Sequence, residues 1–118
     1  MSESRQTLSF QQALDLAVKH HNAGRLSDAE SIYRQLLQID PNQPFVLHLL
    51  GVISHQMRNN DEALDLITKA LTFKPDYPEA HSNLGLILQE LGELEEAEAS
   101  YRKAIELKLD YPEAHNNL

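Results

Sequence analysis

The chain contains no cysteine among its 118 residues. Disulfides and thiolate metal sites are thereby excluded, and a reducing compartment is permitted. A cytoplasmic location is the expectation. Long hydrophobic runs are missing too. No stretch approaches the roughly 18 apolar residues that span a bilayer, so no membrane partner is expected. The opening residues, MSESRQTLSF, lack a basic start followed by an apolar run and do not read as a secretory signal. Basic residues are scarce: 10 Lys and Arg stand against 18 Asp and Glu, a formal charge of −8. The imbalance is local. Residues 10–43 and 44–77 each carry three basic and four acidic groups, whereas residues 78–111 carry three and eight. The run ELGELEEAEAS, from Glu90 to Ser100, holds much of the excess and reads as a solvated helix face. Such a surface repels phosphate backbones, which argues against nucleic-acid binding.

Catalytic wording is absent as well. There is no G-x-S-x-G, no G-x-x-x-x-G-K-[ST] and no H-E-x-x-H. The carboxylates recur on solvent positions, and no sequence feature marks the burial or close like charge that acid–base work requires. The six histidines make no obvious ligand set. His20 and His21 are adjacent and point in different directions. His48 and His55 stand seven residues apart, about 10 Å along a helix, too far to share a zinc ion with bonds near 2 Å. His81 and His115 share a register and read as packing groups. His21 and His55 share another, but no Cys or acidic partner accompanies them. The expectation is no catalytic residue, no metal and no cofactor in this chain.

What the sequence does contain is a period of thirty-four. YPEAHSNLG begins at Tyr77, and YPEAHNNL begins at Tyr111 and ends the chain. With Phe10, Pro44, Pro78 and Pro112 as first positions, position 7 is Leu16, Leu50, Leu84 and Leu118. Position 8 is Ala17, Gly51 and Gly85; position 20 is Ala29, Ala63 and Ala97; position 24 is Tyr33, Ile67 and Tyr101. Apolar spacing of three and four makes each unit two helices. The expected spans are 9–22, 27–39, 44–57, 61–73, 78–91 and 95–108, with a further helix starting at Pro112. A small residue at position 8, facing the alanine at position 20, lets antiparallel backbones approach. One hairpin cannot bury its apolar faces alone, so neighbours stack into a continuous core. Turns are marked by Asn22–Ala23–Gly24, Arg58–Asn59–Asn60 and Leu91–Gly92, and joints by Asp40–Pro41, Lys74–Pro75 and Tyr77–Pro78. Ser9-x-x-Gln12 and Ser27-x-x-Glu30 have capping-box spacing. The tyrosines at positions 24 and 34 read as core and joint packing.

This pattern resembles the tetratricopeptide repeat, two helices in 34 residues. The resemblance implies an all-α fold of antiparallel helix-turn-helix repeats stacked as a short right-handed superhelix. Its parts are an N-terminal extension (1–9), repeats at 10–43, 44–77 and 78–111, and the start of a fourth at 112–118. The wording PEAHSNLG, PEAHNNL and LGELEEAEASYRKAIEL is also similar to the repeats of O-GlcNAc transferase-like bacterial proteins. The resemblance implies that the first helix of each unit lines a concave face that takes an extended peptide or a partner helix. Carried over position by position, it nominates Leu14, Val18, Phe45, His48, Val52, His55, Ser82, Leu86 and Gln89. Asn83 joins them through the asparagine ladder of the transferase-linked relatives; Asp15 and Leu49 interrupt that ladder. A clamp for a C-terminal carboxylate is not expected, because the matching positions supply almost no positive charge. The expected role is therefore a protein-interaction module. Two alternatives are the recruiting arm of a larger transferase and a self-assembly module joining through exposed repeat ends. The stop inside the fourth copy reads as a fragment of a longer array, or as an open end that meets another molecule.

Overall fold

The computed structural model describes residues 8–109. Six helices follow in order: α1 (Phe10–Asn22), α2 (Leu26–Ile39), α3 (Pro44–Gln56), α4 (Asn60–Phe73), α5 (Pro78–Glu90) and α6 (Leu94–Lys108). Each end lies within one residue of the expected span, and no strand occurs among the described residues. The fold is all-α and built from antiparallel helix hairpins. The expected fourth repeat, with Tyr111, His115 and Asn117, lies outside the described residues.

The sequence explains the helix starts. Ser9 Oγ accepts from the Gln12 amide at 3.1 Å, while the Ser9 amide donates to Gln12 Oε1 at 2.9 Å, the expected capping box. Such a cap contributes about 1 kcal/mol. Pro44 and Pro78 open α3 and α5 where a missing N–H costs nothing. Asn59 Oδ1 accepts from the Glu62 amide and caps α4. The second expected box does not form. The helix already begins at Leu26, so Ser27 has helical backbone and caps nothing. Glu30 turns instead to Arg34, 2.8 Å away and one turn on.

The hairpin turns share one geometry at thirty-four-residue intervals. Gly24 and Gly92 have φ of 84° and 86°, and Arg58, in the same register, has φ of 66°. Each is followed by an amide that closes the helix: Arg25 to His20 O, Asn59 to Ser54 O and Glu93 to Leu88 O, at 2.8 Å in each case. Orphan carbonyls at the helix ends are thereby satisfied.

Contacts divide the chain into two units, one ending at Pro41 and one beginning at Asn42. In the first, α1 packs on α2, burying Leu14, Ala17, Ala29, Tyr33 and Leu36. In the second, α3 pairs with α4 and α5 with α6, and α5 also packs against α4. Ala63, Ile67, Tyr77, Ala80 and Ile87 form the core there, with Leu64, Leu71 and Leu84 against it. Each fully buried aliphatic side chain of this size stabilises by about 1.5–3 kcal/mol.

At position 8 the small residue admits a close approach, as expected, and the nearest neighbour is the position-24 side chain. A Cβ on Gly51 would lie 2.6 Å from Ile67 Cγ1, and one on Gly85 would lie 2.9 Å from the Tyr101 ring. The position-24 side chain fills the space that glycine vacates. Ala63, at position 20, offers only its carbonyl, 3.4 Å from the same point on Gly51.

Candidate functional site

The sites nominated on α3 and α5 fall in the second unit and can be built as one face. Phe45, His48, Val52 and His55 recur on α3 at spacings of three and four. Glu79, Ser82, Leu86 and Glu90 do so on α5. Two cross-repeat contacts fix these helices against each other. Asn83 Nδ2 lies 2.8 Å from His48 Nε2, and His55 Nε2 lies 3.0 Å from Glu90 Oε1. Asn60 Nδ2 adds a 3.3 Å bond to the same Glu90 oxygen.

The face is uneven in exposure. Phe45 is 43% exposed and Leu86 37%. Gln89 is exposed, while Val52, His55, Ser82 and Asn83 are half-buried. His48 lies beneath them, 5% exposed. Its Nδ1 is 2.9 Å from the hydroxyl of Tyr77, and the two rings meet edge-on at 4.8 Å. As the amide is oriented, Asn83 donates to Nε2, so the neutral imidazole carries its proton on Nδ1 and donates to Tyr77 Oη. Burial lowers the His48 pKa to about 4, with the carboxylate of Glu79 pulling weakly the other way. Burial, and then Glu79, push the Tyr77 phenol upward. A histidine nominated as a surface contact is thus the centre of an internal Tyr77–His48–Asn83 chain. Asn83, nominated as a peptide contact, gives one of its two amide hydrogens to that chain.

Sequence reasoning placed all three residues but not their association. The available signal was polar groups at positions 34 and 5 of one repeat and 6 of the next, an arrangement the Gln43–Leu49 register lacks. His81 does more than the expected packing. The residue is half-buried, and its Nε2 also donates to the carbonyl of Pro75 at 2.8 Å, bracing the joint between α4 and α5.

On the first unit, Leu14 is buried and Val18 half-buried, so α1 offers less apolar surface at the nominated positions. Tyr33 there is fully buried, with its hydroxyl 3.4 Å from His21 Nδ1 and its phenol pushed up to about 12 by burial. Among the described residues, no three His, Asp or Glu groups are arranged to hold a metal ion. No helix among them is long and apolar enough to cross a membrane.

A fold of stacked helical hairpins with an outward side-chain face defines the class of α-helical repeat scaffolds. Family profiles make this specific. One described as tetratricopeptide repeat matches residues 78–111, and one described as TPR repeat matches residues 59–92. Residues 59–111 are thus tetratricopeptide repeats. No curated protein sequence matches it significantly. Solved structures share its fold. MamA superposes with a TM-score of 0.80 at 23% identity, over 90% of this chain and 62% of that one. The chain thus spans about three-fifths of MamA. The Yersinia enterocolitica type III secretion chaperone SycD, in complex with a peptide of the translocator YopD, gives 0.85 at 23% identity, over 94% and 85%. The second repeat domain of Spaghetti (RPAP3), bound to the HSP90 peptide SRMEEVD, gives 0.79 at 18% identity, over 83% and 91%.

Proposed function

We propose that this chain is a protein-interaction module that holds a peptide or partner helix on the face formed by α3 and α5. One observation carries the reading. Phe45 and Leu86 stand exposed on helices whose mutual placement is fixed by the His48–Asn83 and His55–Glu90 contacts. Exposed apolar anchors on a preorganised frame lose little entropy when a partner binds. Two neighbours of the same fold carry peptides, from YopD on SycD and from HSP90 on Spaghetti, which supports the same use of the scaffold here. Affinity capture with the 118-residue chain tests it. Phe45→Ala and Leu86→Ala should each weaken capture of the bound protein while helicity by circular dichroism stays unchanged. Undiminished capture by both variants would remove the face from consideration.

A second reading, self-assembly, is favoured by one feature of the first unit. Leu8, Leu16 and Ile39 are 54%, 39% and 72% exposed, and they border a cleft of about 340 Å³ between α1 and α2. If the chain joins copies there, its mass rises with concentration and Leu16→Glu returns it to a monomer. A mass that holds constant at high concentration rejects this reading.

A further inference from the structure

The α3–α5 face has a one-sided charge. Neither helix contains a lysine or an arginine; their only formal charges are Glu79 and Glu90. Both carboxylates are exposed and lie on the Leu86 side of α5, at the second and the last helical positions. Eleven residues separate them, about 16 Å at 1.5 Å per residue. Leu86 on α5 and Phe45 on α3 are the exposed apolar groups at the nominated positions of these two helices.

Neighbouring cations do not neutralise it. Lys74, in the joint before α5, is paired with Asp76 at 3.7 Å and stands 5.9 Å from the centre of the Tyr77 ring. The buried His48 imidazole is neutral. His55 meets Glu90 through one carboxylate oxygen, the same one that Asn60 uses.

We infer that the occupant of this face is an apolar peptide segment flanked by basic residues, its lysines or arginines meeting Glu79 and Glu90. This rests on the α3–α5 face being the binding face. An extended peptide of about five residues covers the distance between the carboxylates at roughly 3.3 Å per residue. A strand with a basic residue at each end of that span, and aliphatic or aromatic residues within it, satisfies both the charge and the apolar surface. An acidic tail meets two carboxylates and finds no lysine or arginine on either helix to offset the desolvation of its own charge. The face should therefore reject a peptide such as SRMEEVD, which Spaghetti holds on the same fold. Like-charge opposition of this kind sets partner choice more than it sets affinity.

The test is a selection of random twelve-residue peptides on the whole chain, followed by affinity measurements on its variants. The expected winners carry apolar centres with Lys or Arg on both sides. They lose affinity on Phe45→Ala and Leu86→Ala. On Glu79→Gln and Glu90→Gln they weaken about threefold each, the size of an exposed ion pair, and raised salt removes that difference. Glu90→Gln keeps a side-chain oxygen to accept from His55 and Asn60, and Glu79 is exposed, so both variants keep the parental helicity and the α3–α5 contacts. If Leu86-dependent winners are neutral or acidic, or bind the glutamine variants as well as the parent, the charge inference falls while the binding face stands. If winners ignore Phe45 and Leu86, or no sequence is enriched, the binding face itself falls.

Discussion

Asn83 on α5 donates across the repeat boundary to Nε2 of His48 on α3, 2.8 Å away and 35 residues earlier in the chain. His48 is nearly enclosed, so its nitrogen has no water to replace that partner. A buried acceptor left unpaired costs about 1–3 kcal/mol. Asn83→Ala should lower unfolding free energy by about that amount in urea titration. His48→Leu combined with Asn83→Ala should cost less than the sum of the single changes, because neither group then remains to be satisfied. Strict additivity would show that the contact contributes nothing.

The same histidine makes stability depend on pH. Its folded pKa is lowered to about 4 from 6.5, chiefly by burial. Above pH 6.5 both folded and unfolded chains hold the ring neutral and no penalty exists. As pH falls from 6.5 toward 4, the unfolded chain takes up the proton and the folded one does not, so stability falls. Below the folded value both are protonated and the loss is complete, on the order of 3 kcal/mol. Carboxylates add their own acid dependence, so the diagnostic quantity is the difference from His48→Gln. Urea midpoints measured from pH 7.5 to 4 should decline less steeply for that variant. Parallel curves would remove His48 as the source.

Gly51 is a packing position. An added Cβ would sit 2.6 Å from Cγ1 of the fully buried Ile67, a contact relieved only by moving that side chain. Overpacking of this kind costs about 1–3 kcal/mol. The better helix propensity of alanine returns about 1 kcal/mol. Gly51→Ala should therefore destabilise by roughly 1 kcal/mol net. Adding Ile67→Ala, which removes the clashing carbon, should produce a double variant more stable than the two single losses predict. A stabilised Gly51→Ala would mean that Ile67 moves aside freely.

The helices were legible because several local signals agreed. The thirty-four-residue period, the prolines at Pro44 and Pro78 and the glycines at Gly24 and Gly92 all mark the same boundaries. Ser27 misled because capping-box spacing says nothing about where the helix begins; with Leu26 already helical, the serine is one turn-position too late. That position 24 packs was legible; its direct contact with position 8 was not, because a repeat register aligns residues without giving the direction of a side chain across the hairpin. The face around Phe45 and Leu86 is proposed from family geometry. The burial of His48 could not be read that way, since it depends on Tyr77 from the joint and Asn83 from the next repeat. Apolar periodicity along α3 carries no trace of either partner.

Arg58 offers a stabilising change. It holds the left-handed turn position at φ 66° that glycine holds at Gly24 and Gly92. The side chain is exposed and makes no hydrogen bond or ion pair among the described residues. An L-residue in that region costs about 1–2 kcal/mol, and glycine returns up to about 1 kcal/mol through its greater freedom in the unfolded chain. Arg58→Gly should therefore raise unfolding free energy by about 0.5–1 kcal/mol, a few degrees in melting temperature. The reverse change is the control. No heavy atom lies within 4 Å of a Cβ built on Gly92, so the loss from Gly92→Ala would come from the backbone alone. That loss should be about 1 kcal/mol, opposite in sign to the gain at Arg58. If both variants lose stability, the Arg58 side chain contributes something beyond its place in the turn, and the strain at this position is smaller than its dihedral indicates.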